Sequence, residues 1–262
     1  MTVSFARKAI KAAVLPAGPL FRRRAGDVVI LTYHALGDSG REVDLPVAAF
    51  AHQMAELARA RSALTLDGAL SSLAAGGGDG GVVVTFDDGT RDFHEHALPL
   101  LERYRIPATL YLATGGVSDS ASANGELSWN HLRDAVDTGL VTFGSHTHSH
   151  ADLSHATQTQ AADEMRRASE LVEDRLSVPC RHFAYPWGVG SVDAEHAARK
   201  LFDSAALGWG TNRRGKTDPH RLRRTPVLRN DGAFFFRAKS RGMLDGEALA
   251  YRALGRGPWR NR

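Results

Sequence analysis

Short apolar runs alternate with amphipathic helical patterns along most of this 262-residue chain. Residues 28–33, 82–86 and 108–113 predict buried strands, whereas residues 50–60 and 160–176 have the spacing of helices with one apolar face. Strands that alternate with helices favour an α/β fold with a parallel sheet. In barrels of this class, the loops that follow the strands converge at one end and carry the chemistry.

Two adjacent carboxylates, Asp87 and Asp88, follow the predicted strand 82–86. Carboxylates so close raise each other's pKa, and burial raises it further unless a cation or hydrogen-bond donors compensate. One of them can bind a metal ion while the other accepts a proton from a water molecule that the ion activates. Taken alone, the Asp-Asp-Gly sequence is equally typical of a turn.

Three alternating histidines, His146, His148 and His150, follow another predicted strand at residues 140–144. Neutral imidazoles are common metal ligands. His146 and His150 are four residues apart and would share one face of a helical turn, whereas all three would share one face of an extended segment. The spacing therefore leaves the ligand pair open. Together with the paired carboxylates, the cluster predicts a hydrolytic metal centre.

A third segment, Tyr-Pro-Trp-Gly at residues 185–188, also follows a predicted strand. The backbone N–H of Trp187 comes directly after a proline and can face a developing oxyanion. The alternative interpretation is a packed aromatic turn without a catalytic role.

The net charge is only +4, but both ends are more basic than the middle. We expect a basic N-terminal extension (1–25), a catalytic domain (26–232) and a basic C-terminal tail (233–262), with the extensions mainly solvated. The basic ends leave a weak contact with a membrane surface open. No aromatic residues are interleaved among these basic residues to stack on bases, so we expect no nucleic-acid partner. The apolar stretch before Pro16 is too short for a signal peptide, and localisation in the cytoplasm or the cell envelope stays open.

The three segments together resemble the polysaccharide deacetylases that contain a NodB-homology domain. Residues 85–89 (Thr-Phe-Asp-Asp-Gly) are similar to the family's first motif. Residues 146–150 (His-Thr-His-Ser-His) are similar to its second motif, and residues 183–188 (Phe-Ala-Tyr-Pro-Trp-Gly) to its third, in the form found in exopolysaccharide-type deacetylases. The similarity extends from about residue 28 through 229.

This resemblance implies a distorted (β/α) barrel, here predicted with seven strands. It implies metal-dependent removal of N-acetyl groups from the amino sugars of a polysaccharide or oligosaccharide. The metal, Zn²⁺ or another divalent ion, would be bound by Asp88, His146 and His150. Asp87 would be the general base, and the Trp187 N–H would help to hold the oxyanion.

The chain departs from the family pattern at two positions. Many members have an arginine that orients the base where this chain has Ala184. Arg224 is the predicted substitute, and Arg181 is the second choice. A family motif that supplies the general acid has no clear equivalent, and His34 and His220 are the candidates to replace it.

Three other functions are compatible with parts of the sequence. A related C–N hydrolase acting on a small amide or a formylated sugar would use the same metal site. A non-catalytic carbohydrate-binding protein of the same fold is the second, although the complete set of Asp87, Asp88, His146 and His150 argues against it. The third is a basic protein that binds nucleic acid or a membrane surface through its ends.

Overall fold

The computed structural model describes residues 10–74, 78–119, 125–247 and 250. Its strands are β1 (Val28–Tyr33), β2 (Ala35–Leu36), β3 (Asp44–Leu45), β4 (Gly81–Phe86), β5 (Ala108–Leu112), β6 (Val141–Ser145), β7 (His182–Ala184), β8 (Ser204–Trp209) and β9 (Leu222–Pro226). Seven of them close into a barrel in the order β1-β4-β5-β6-β7-β8-β9, and β9 pairs with β1. Every pairing around the barrel is parallel. The seven-stranded (β/α) barrel that we predicted is confirmed.

Helices connect the strands and cover the barrel wall. The α-helices described from end to end include Gly18–Phe21, Val47–Ala60, Leu66–Leu73, Leu98–Tyr104, Trp129–Asp137, Gln158–Leu176, Val192–Leu201 and Gly232–Ser240. The longest begins two residues before the predicted start at 160, because Thr157 and Gln160 form a reciprocal capping box. Within the described residues, no helix combines the length and the apolar character needed to cross a bilayer.

The barrel has one closed end, where its strands begin. The helix Leu66–Leu73 packs there, and its Leu66, Ala69 and Leu73 join the apolar cluster that fills the interior. Val28 and Ile30 of β1 belong to the same cluster and are fully buried. The strands end at the opposite, open end, and it is there that the polar segments singled out in the sequence emerge.

Parts of both basic ends pack onto the barrel. Lys11 is fully buried and forms an ion pair with Asp231. Asp231 also pairs with Lys239 at 2.6 Å, and burial raises the pKa of Asp231 less than the two lysines lower it. The expectation of a solvated extension is therefore wrong for Lys11. The basic residues within 1–9 and 251–262, through which a membrane contact was also considered, lie outside the described residues.

Candidate metal centre

A cavity of about 510 Å³ occupies the open end of the barrel. All seven residues that the sequence predicted for the site line it, namely His34, Asp87, Asp88, His146, His150, Trp187 and Arg224. The other lining residues are Thr32, Ala35, Arg41, Val43, Thr90, Gly188, Trp209 and Pro226. The parallel topology explains this convergence, because His34, Asp87 and His146 each follow directly the last residue of a barrel strand.

Three potential metal ligands face one another in this cavity. Oδ1 of Asp88 lies 3.2 Å from Nε2 of His150 and 3.6 Å from Nε2 of His146. One ligand atom from each of the three residues lies within 4.8 Å of the other two. A tetrahedral ion with bonds of about 2 Å separates its ligand atoms by about 3.3 Å. The observed spacing therefore fits a single divalent ion.

The orientation of His146 is fixed from behind. Its Nδ1 lies 2.7 Å from the carbonyl oxygen of Ala184 and donates a hydrogen bond to it, which leaves the Nε2 lone pair directed at Asp88. Burial lowers the pKa of His146 more than the carboxylates of Asp87 and Asp88 raise it. The imidazole is therefore neutral, the form that binds metal ions.

His148 does not join this group. Its Nδ1 lies 2.9 Å from Oγ1 of Thr114, and its backbone N–H donates to the Glu164 carboxylate at 3.0 Å. The segment is a turn, since Thr147 and His150 have φ angles of 65° and 57°. The structure thus brings His146 and His150 together and turns His148 away, which resolves the alternative that the spacing left open.

Asp87 is buried beside the ligand group and has a cationic partner. Nη1 of Arg224 donates to Oδ1 of Asp87 at 2.6 Å, and both side chains are almost fully buried. Burial raises the pKa of Asp87, but the charge of Arg224, helped by His146 and His34, lowers it more. Asp87 is therefore a carboxylate held in one orientation. The guanidinium of Arg224 also lies over the Tyr111 ring, 5.5 Å from its centroid.

Asp88 is more exposed than Asp87 and is equally ionised. Burial raises its pKa, but the hydrogen bond to His150 and the nearby imidazoles lower it to about 2. Its backbone adopts the left-handed region, with φ 74°. Both carboxylates line the same cavity, although neighbouring residues of a regular strand point to opposite faces.

The two candidates for the general acid, His34 and His220, lie at opposite ends of the barrel. Arg181, the second choice for the arginine that orients the base, lies at the same end as His220. Nε2 of His34 lies 3.9 Å from Oδ2 of Asp87, at the open end. His220 instead contacts the carbonyl of Phe202 at 2.7 Å, and Arg181 pairs with Asp67 at 3.1 Å. Neither lines the cavity, so both are wrong as site residues. Arg224, the first choice, lies within β9 and lines the cavity.

Trp187 forms part of the cavity rim. Its side chain is 71% exposed, and its ring centroid lies 4.8 Å from that of His150. Its φ of 61° is left-handed, which is rare for a bulky residue. Such strained backbone is concentrated at functional sites in proteins.

Several residues that line or support the cavity were missed from the sequence. The Ala184 carbonyl orients His146 through its backbone, which no side-chain pattern signals. Trp209 ends β8, a strand that was not predicted. Arg41 lies in a polar loop between β2 and β3 with no motif around it. Tyr111 could have been found from the sequence. Thr109 and Tyr111 alternate with Leu110 and Leu112 along β5, so the two polar side chains point to one face of the strand.

Known proteins resemble this chain at the levels of sequence and fold. The polysaccharide deacetylase family model matches residues 75–202. A poly-beta-1,6-N-acetyl-D-glucosamine N-deacetylase of Staphylococcus epidermidis is 30% identical over 128 residues, which cover 45% of this chain and 44% of that protein. The protein of the same name from Staphylococcus aureus (strain MRSA252) is 28% identical over 121 residues, covering 43% and 42%. The chain thus spans less than half the length of these curated relatives.

Solved structures share the barrel. IcaB from Ammonifex degensii has a TM-score of 0.73 and 24% identity, with 84% of this chain and 98% of that chain covered. The Streptococcus pyogenes deacetylase PplD, solved in complex with acetate, has a TM-score of 0.73 and 22% identity, with 82% and 98% covered. At such identities, these structures bear on the fold alone. The chain is thus similar in sequence to polysaccharide deacetylases over residues 75–202 and has the same barrel fold as the solved structures.

Proposed function

We propose that this protein is a hydrolase that removes N-acetyl groups from the amino sugars of a polysaccharide or oligosaccharide. One observation carries the proposal: three ligand atoms that fit one divalent ion lie in an open cavity beside a second carboxylate, that of Asp87, which Arg224 orients. The curated relatives, which are named as deacetylases of poly-beta-1,6-N-acetyl-D-glucosamine, support a substrate of the same class.

Asp88, His146 and His150 would hold the ion. One carboxylate and two imidazoles leave positions open for substrate and solvent, as catalytic sites require. A bound divalent ion supplies Lewis acidity to the acetamide carbonyl and lowers the pKa of the attacking water. We propose zinc, although the same donor set also suits iron(II).

Asp87 would act as the general base. Its carboxylate is ionised and lies beside the ligand group, with its Oδ2 3.9 Å from Nε2 of His146. It would take a proton from water as the water oxygen bonds to the acetamide carbon. Arg224 would keep Oδ1 of Asp87 occupied, so that Oδ2 faces the reacting water. In this chain Arg224 would thereby do from β9 what an arginine at position 184 does in many relatives.

Formation of the tetrahedral intermediate requires a donor for its oxyanion, and its collapse requires a proton for the leaving nitrogen. The backbone N–H of Trp187 would donate to the oxyanion at the rim of the cavity. His34, which lines the cavity beside Asp87, would protonate the leaving nitrogen. The products are acetate and a free amino sugar. General acid help of this kind contributes about 10²–10⁴-fold.

Acetate release tests this proposal directly. The purified protein, stripped with a chelator and reloaded with zinc, should release acetate from N-acetylated glucosamine oligomers. The stripped protein and an Asp88→Ala variant serve as controls and should be inactive. Small acetamides and formylated sugars are the comparison substrates. Turnover of small amides alone would replace the glycan deacetylase by a related C–N hydrolase, and glycan binding without any acetate release would replace it by a carbohydrate-binding protein.

A further inference from the structure

One cation lines the cavity without an acidic partner. Arg41 is exposed, and its Nε contacts only the hydroxyl of Ser39, at 3.2 Å. Within the described ranges, no carboxylate pairs with its guanidinium group. It differs in this from Arg224, the other arginine of the cavity, which is paired with Asp87.

The loop that carries Arg41 is held in place from both sides. The backbone N–H of Arg229 donates to the carbonyl of Glu42 at 2.8 Å, and its Nη1 donates to the carbonyl of Asp44 at 3.2 Å. The Asp44 carboxylate accepts from the N–H of Ser39 at 2.6 Å, while Asp38 pairs with Arg229. The acids at positions 38 and 44 are therefore engaged elsewhere. The fixed loop presents Arg41 at the cavity with its charge available.

The charge balance of the cavity favours an anionic ligand. The negative charge of the Asp87 carboxylate is already balanced by the positive charge of Arg224. A divalent ion held by Asp88 and two neutral imidazoles keeps a net positive charge, and Arg41 adds another. Like charges at the walls of a cavity concentrate ligands of the opposite sign. The same field would repel the ammonium group of a deacetylated product.

We propose that Arg41 is a specificity-determining residue that binds an anionic substituent, a carboxylate or a phosphate, on the N-acetylated glycan. The guanidinium group suits this task, because its planar fork matches both anions with two parallel hydrogen bonds. The cavity volume of about 510 Å³ lies in the range of small-ligand sites. This inference rests on the proposed function, since it assigns the class of glycan that the same site would accept.

Three matched ligands test the inference: a neutral N-acetylglucosamine trimer, the same trimer with a carboxylate-bearing ether, and the same trimer with a phosphate ester. Affinity for the zinc-loaded protein is measured by calorimetry at low salt, and acetate release is measured in parallel. We expect at least one anionic trimer to bind about 3- to 10-fold more tightly than the neutral one, as a partly exposed charge pair allows. The two anionic arms decide between carboxylate and phosphate.

Substitutions assign the preference to one side chain. Arg41→Gln should abolish the preference for anionic trimers and leave the affinity for the neutral trimer unchanged, and Arg41→Lys should keep part of it. Arg59→Gln removes the same charge from an exposed helix position outside the cavity and should change neither. Equal affinities for all trimers, or a preference that survives in Arg41→Gln, would overturn the inference.

The measurements of affinity and acetate release allow the two proposals to be rejected independently. If no trimer releases acetate but the Arg41-dependent preference is present, the deacetylase proposal fails and the anion site stands. If acetate is released and no preference depends on Arg41, the anion site fails and the deacetylase proposal stands.

Discussion

The two ends of the barrel use similar residues for different purposes. At the open end, Asp88 and His150 meet at 3.2 Å beside a cavity. At the closed end, Nε2 of His182 lies 3.4 Å from Oδ1 of Asp67, and its Nδ1 lies 3.0 Å from the Ser204 hydroxyl. His182 and Ser204 are buried under the helix Leu66–Leu73 and line no part of the cavity. Acid and imidazole become a candidate site only where the loops leave room for a ligand.

The backbone shows the same contrast. Among the described residues, seven that are not glycine have positive φ. Three of them, Arg61, Arg105 and Ser177, follow helices as ordinary left-handed caps. The other four belong to the segments of the open end and are Asp88, Thr147, His150 and Trp187. Left-handed backbone ends helices near one end of the barrel and shapes the candidate metal centre at the other.

Removal of one ligand at the open end should have the largest effect. We expect His150→Gly to lose metal binding and at least about 1,000-fold in kcat/KM, because the ion would contribute several kcal/mol to the transition state. Glycine accepts the φ of 57° at this position, so the variant should keep its fold. Elemental analysis for bound zinc and circular dichroism check both parts. Wild-type zinc content in the folded variant would contradict the ligand assignment.

Loss of the proposed base should separate chemistry from metal binding. Asp87→Asn should lower kcat by about 10²- to 10⁴-fold while zinc content stays at the wild-type level. The amide keeps one acceptor for Arg224 but cannot take a proton. Near-normal acetate release by this variant would show that another group is the base.

At the closed end, the expected effect is on stability alone. Leu66 is 1% exposed in the interior cluster, and Leu66→Ala should lower the free energy of unfolding by about 2–5 kcal/mol. The zinc-loaded variant should keep wild-type kcat/KM well below its melting temperature. Ser71→Ala, on the exposed side of the same helix, is the control and should change neither quantity. A large loss of activity in folded Leu66→Ala would mean that the two ends are coupled.

The smallest effect should come from the surface ion pair of the closed end. Arg181 pairs with Asp67 at 3.1 Å, and both side chains are about half exposed. Arg181→Gln should therefore cost less than about 1 kcal/mol in chemical denaturation. Its activity should equal that of the wild type, because Arg181 lies at the other end of the strands. A reduced kcat would revive Arg181 as the group that orients the base.

The convergence of the candidate site residues at the open end could be predicted from the sequence because of one topological rule. In a parallel barrel, residues that follow different strands meet at one end, so His34, Asp87 and His146 converge although they are distant in the chain. The same rule explains the two wrong candidates. Arg181 and His220 precede β7 and β9, and residues that precede parallel strands belong to the closed end.

Other features had weak or absent signals. The strand β8 (Ser204–Trp209) contains alanines and a glycine instead of β-branched residues, so its burial comes from the barrel and not from its own propensity. The helix Leu66–Leu73 contains Gly68 and owes its start to a cap by Thr65, which accepts from the N–H of Gly68. The tautomer of His146 depends on a carbonyl from another strand. Such contacts exist only after the barrel has closed.

Closure of the barrel by β1 and β9 has a consequence for synthesis. The second edge of β1 is covered by β9 and, at Val28, by a bridge to Asn212, about 180 to 195 residues later in the chain, and Lys11 finds its acidic partner at position 231. Until β9 leaves the ribosome, β1 and β8 each present an unpaired edge to the surroundings. Contacts so far apart in sequence form slowly, and exposed edges invite aggregation. The nascent chain should therefore depend on chaperones until β9 has been synthesised.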